Sequence, residues 1–113
     1  MAKHRPALPA ERQLVELLLS DPNLIPVAAT QLAPEQVTHT GLRRIIAELY
    51  AAQAAGAVPD LEALRARLHD RPDLFDAAHR LQLVGLHMQD RAEWLSRVLN
   101  ELVAMRSGWT EPG

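Results

Sequence analysis

The chain contains no cysteine, which excludes a disulfide frame and a cysteine-based zinc site. Aromatic residues are almost as scarce, with one Phe, one Tyr and two Trp among 113 residues. A core of any size must therefore be built from Leu, Ala, Val and Ile. Only five glycines are present, and with Leu and Ala recurring this favours helix over sheet. No apolar run approaches the roughly 18 residues of a membrane span. The opening "MAKHRPALPAE" carries basic residues but lacks the apolar stretch of a signal peptide. The expectation is a cytoplasmic protein with no membrane association. The formal charge is −2, and arginines are interspersed with acids. Without a basic stripe, specific nucleic-acid binding is not expected.

What remains is one domain's length of amphipathic segments punctuated by caps. The first is "ERQLVELLLSDPNL". Leu14, Leu17 and Leu18 stand at i, i+3 and i+4, and Val15 and Leu19 widen the face. A helix is expected over Pro9–Ser20. Asp21 then caps a second helix with Pro22 at its first position, where a missing N–H costs nothing. Leu24, Val27, Ala28 and Leu32 continue the apolar face. "APEQVTHT" is a connector with a helical turn at Pro34–Gln36. Thr40 is a candidate cap for helix three, Gly41 to about Ala55, whose inner face is Leu42, Ile45, Ile46 and Leu49. Gly56 is the expected left-handed stop.

Asp60 is the expected cap of helix four, with Leu61, Leu64 and Leu68 inside and Arg65 and Arg67 outside. Helix five is expected from Pro72 to about Val84, burying Leu74, Phe75, Ala78 and Leu81, with Gly85 ending it. Asp90 and Glu93 form a capping-box-like start to helix six, which runs to about Ser107 before Gly108. Neither a fixed repeat nor strand-like alternation is present. The expected fold is all-α, a bundle of about six helices over residues 9–108, with a leader at 1–8 and a tail at 109–113.

Residues able to carry chemistry do not converge in the sequence. His69, His79 and His87 are dispersed, and no pair has the i, i+4 spacing of a zinc helix. Asp70, Asp73 and Asp76 cluster, but acids in a first helical turn favour the macrodipole. There is no glycine-rich phosphate loop and no nucleophile motif. No catalytic residue, metal, cofactor or small-molecule substrate is therefore expected. Helices four and five could form a helix-turn-helix presenting Arg71, His79 and Arg80, although Asp73 and Asp76 would meet phosphates with the wrong charge. Helix six carries Trp94, Leu95, Val98, Leu99, Leu102, Val103 and Met105, leaving little of its circumference polar. Such a helix is either central to the bundle or presents a stripe to a partner. In the second case Trp94, Val98, Leu102, Met105 and Trp109 are the candidate partner-binding residues, with Trp109 a tail aromatic of the kind that anchors interfaces.

One ordered series of motifs goes further. It comprises "E-x-x-L-x-x-L-L-L-x-x-P-x-L" at Glu11–Leu24, "L-x-P-E-x-V" at Leu32–Val37, "L-R-x-I" at Leu42–Ile45 and "D-L-x-x-L" at Asp60–Leu64. This series resembles the C-terminal helicase-interaction domain of bacterial DnaG-type DNA primases over residues 11–68. The family often has Phe where Val37 stands. The N-terminal collar domain of the replicative helicase is similar in fold, but tends to open with "E-x-A-x-L-G", and "VELLLSDP" lacks that glycine. The primase resemblance implies a non-catalytic module whose partner is the replicative hexameric helicase at the replication fork. The primase's zinc-binding and acidic polymerase centres are absent from this chain, and the helical hairpin with which family members dock is at most partly represented. The helicase collar and a small helix-turn-helix regulator are the alternatives.

Overall fold

The computed structural model describes the backbone of residues 8–109 and the side chains of residues 8–105. Six α-helices follow in order: α1 (Pro9–Ser20), α2 (Ile25–Gln31), α3 (Thr40–Ala54), α4 (Leu61–Arg67), α5 (Pro72–Leu86) and α6 (Arg91–Trp109). Single 3-10 turns stand at Pro22–Leu24 and Pro34–Gln36. No strand occurs among the described residues, so the chain is an all-α bundle. No described helix is long and apolar enough to cross a membrane. Residues 1–7 and 110–113, which make up most of the expected leader and tail, lie outside the described residues.

The central helix is α1, which packs against α3, α5 and α6. Leu14, Val15, Leu17, Leu18 and Leu19 are all buried. A helix apolar around so much of its circumference needs neighbours on several sides, which explains the density of leucine in "LVELLL". The core continues through Ile25 and Ala28 of α2, Leu42, Ile45, Ile46 and Leu49 of α3, and Leu64 and Leu68 at α4. Phe75, Leu81 and Tyr50 pack against it at its margin.

Most helix ends follow the expected chemistry. The Asp60 carboxylate accepts from the Ala63 N–H at 3.1 Å and caps α4. Gly56 has φ +83, with the Ala57 N–H donating to Ala52 O and the Gly56 N–H to Gln53 O, each at 3.0 Å. These paired bonds are the left-handed helix stop that glycine permits.

Four boundaries differ from expectation. The segment after Asp21 begins as a 3-10 turn and becomes α-helical only at Ile25. The cap of α3 is His39, not Thr40: its Nδ1 accepts from the Leu42 N–H at 3.2 Å. Gly85 does not end α5, which continues through Leu86. Its lack of a side chain serves packing instead. A Cβ at Gly85 would lie 2.0 Å from the Glu16 carbonyl oxygen and 2.9 Å from the Ser20 Oγ, so α1 and α5 cross at near backbone contact. Gly108 likewise lies inside α6, which runs to Trp109. A glycine within a helix lowers propensity by only about 1 kcal/mol and need not terminate it.

Candidate interaction surface

The α6 stripe divides between the core and the surface. Leu95, Val98, Leu99 and Leu102 are buried, on the side of α6 that packs against α1 and α2. Of the candidate partner-binding residues, Val98 and Leu102 thus serve the core of this chain and offer little surface to another. Trp94 is half-buried, packed against the core, with the Arg97 guanidinium 5.4 Å from its ring centroid. Its indole presents only its outer part to solvent. Met105 is 45% exposed and Val103 37% exposed, so the free apolar surface of the helix lies toward its C-terminal end. The Trp109 side chain lies outside the described residues, although its backbone continues the helix.

Met105 and Leu102 also line a cleft of about 270 Å³ bordered by Leu8, Glu11, Glu35 and Thr38. Glu11 projects from the first turn of α1 and is only 1% exposed. A buried carboxylate is costly unless its oxygens are satisfied. Here they are: Glu11 accepts from the Thr38 N–H at 2.7 Å, from the Thr38 hydroxyl at 2.9 Å and from the His39 N–H at 3.2 Å. The anion thus lies at the start of α3, where free N–H groups and the helix dipole favour negative charge. Glu11 is a fastening between α1 and the connector, and its oxygens are already engaged. The cleft therefore sets the apolar side chains of Leu8, Leu102 and Met105 beside the carboxylate of exposed Glu35.

The other charged groups fasten the surface. Arg44 of α3 pairs with Glu48 at 2.8 Å and Asp70 at 3.0 Å, and also donates to Arg67 O at 3.1 Å. Arg67 closes the set on Glu48 at 3.4 Å. Hydrogen bonding from Arg44 holds the Asp70 carboxyl below its ordinary pKa. Asp73 is likewise lowered by its hydrogen bonds with Arg71, at 3.0 and 2.8 Å. The three aspartates of "HDRPDLFD" are thus not one constellation, since Asp70 and Asp73 have different arginine partners. The Arg71 guanidinium, a candidate for DNA contact, is held by Asp73. Among the described residues, no three His, Cys, Asp or Glu side chains converge as metal ligands.

Two acids, buried Glu16 and partly buried Tyr50, respond to their surroundings. Desolvation raises the Glu16 carboxyl pKa, opposed by Arg12 at 3.4 Å. Burial pushes the Tyr50 phenol up to about 12, and its hydroxyl donates to Leu32 O at 3.0 Å. Sequence reasoning did not assign Glu11 its fastening role. The signal was its position, since Glu11, Leu14, Val15 and Leu18 share one helical face, which places a carboxylate on the core stripe. Comparison with family models, curated proteins and solved structures gives no match to this chain.

Proposed function

We propose that this chain is a non-catalytic helicase-interaction module of a bacterial DNA primase, which recruits or modulates the replicative hexameric helicase at the fork. The observation that carries this reading is the ordered motif series over residues 11–68. An all-α bundle is the fold the resemblance implies. The motifs also depend on one another physically. Glu11 opens the first motif and binds Thr38 and His39, immediately after the second motif ends at Val37. Leu32, which opens the second motif, accepts the hydroxyl hydrogen bond of Tyr50 on α3, and Val37 O accepts from Arg43 Nε of the third motif at 2.9 Å. The series is therefore a linked packing and capping unit. The surface offered to the helicase is the C-terminal end of α6, with Met105 and Trp109 as the candidate contacts; Trp94, in the first turn of the same helix, lies apart from it.

The test is co-elution of the purified chain, and of a version extended through its natural C-terminus, with the cognate hexameric helicase on gel filtration. Complex formation without template-dependent nucleotide incorporation by the chain alone is expected. Failure of both versions to bind would overturn the helicase reading. Self-association into rings without helicase binding would favour a helicase collar domain instead.

A further inference from the structure

We draw no further inference here: the strongest candidate, the cleft between the start of α1, the connector before α3 and the C-terminal end of α6, with Leu8, Leu102 and Met105 in its wall, carries nothing, because nothing in the structure shows what covers it.

Discussion

Replacing Gly85 with Ala tests the packing at the centre of the bundle. In an ordinary helix this change gains about 1 kcal/mol, because Ala has the higher propensity and a less mobile unfolded state. At this position the new Cβ would lie 2.0 Å from Glu16 O and 2.7 Å from the carbonyl carbon behind it. An ordinary C···O contact is about 3.3 Å, so the helices must part by about 1 Å or the backbone must bend. Neither is cheap, because the obstructing atoms belong to the main chain of α1, which carries Leu14, Leu17 and Leu18 into the core. Overpacking typically costs about 1–3 kcal/mol, and at a backbone contact the upper part of that range applies. After the propensity gain, a net loss of about 2 kcal/mol is expected, lowering the melting temperature by roughly 8 °C at about 4 °C per kcal/mol. Urea unfolding followed by circular dichroism reads this directly. Gly56→Ala is the control: nothing lies within 4 Å of its Cβ, so only the backbone cost of φ +83 applies, about 1–2 kcal/mol. A Gly85→Ala variant as stable as the parent would refute the close crossing of α1 and α5.

Other perturbations have defined signs. Glu11→Ala leaves the Thr38 and His39 N–H groups without their anion, and urea unfolding should show a loss of about 2–3 kcal/mol. The Tyr50 phenol has its pKa raised, so the unfolded state releases this proton first, near pH 10. Stability should therefore fall as pH rises from about 10 to about 12, a slope that Tyr50→Phe reduces in urea titrations across that range. The Asp70 pKa is lowered, so its contribution is present above the ordinary carboxylate range and is lost as pH falls through its folded value; Asp70→Asn should flatten that part of the acid-unfolding curve. The Glu16 pKa is raised, so its charged form opposes folding at neutral pH, and Glu16→Gln should be neutral or stabilising at pH 7 while abolishing the gain seen on acidification toward the carboxylate range.

The helices were legible in the sequence because their signals are local. The i, i+3, i+4 leucines, Asp60 as a cap, Gly56 as a left-handed stop and proline in the first turn of α5 all act within a few residues of where they are read. The misplaced boundaries have two sources: a long-range contact at Gly85 and an unusual local cap at His39. Nothing in "LQLVGLHM" distinguishes a glycine that ends a helix from one that admits another helix's backbone. His39 displaced Thr40 as the cap of α3 because its imidazole nitrogen reaches the Leu42 N–H, a possibility that composition ranks low. The division of the α6 stripe was equally hidden. Periodicity groups Val98, Leu102 and Met105 together, but only the position of α1 shows that Val98 and Leu102 are covered while Met105 is partly free. The exposure of Leu83 and Val84 on α5 requires the same tertiary knowledge, since both have core-like chemistry in the sequence.

Direct titration of the cognate hexameric helicase with this chain by isothermal calorimetry, in parallel with Trp109→Ala and Met105→Ala, tests the proposed function most closely. The expected result is saturable binding that one or both variants weaken, with an anchoring aromatic accounting for roughly thirtyfold at about 2 kcal/mol, while their melting curves match the parent. No heat of binding from the chain or from its C-terminally extended form, with both proteins shown to be folded, would contradict it.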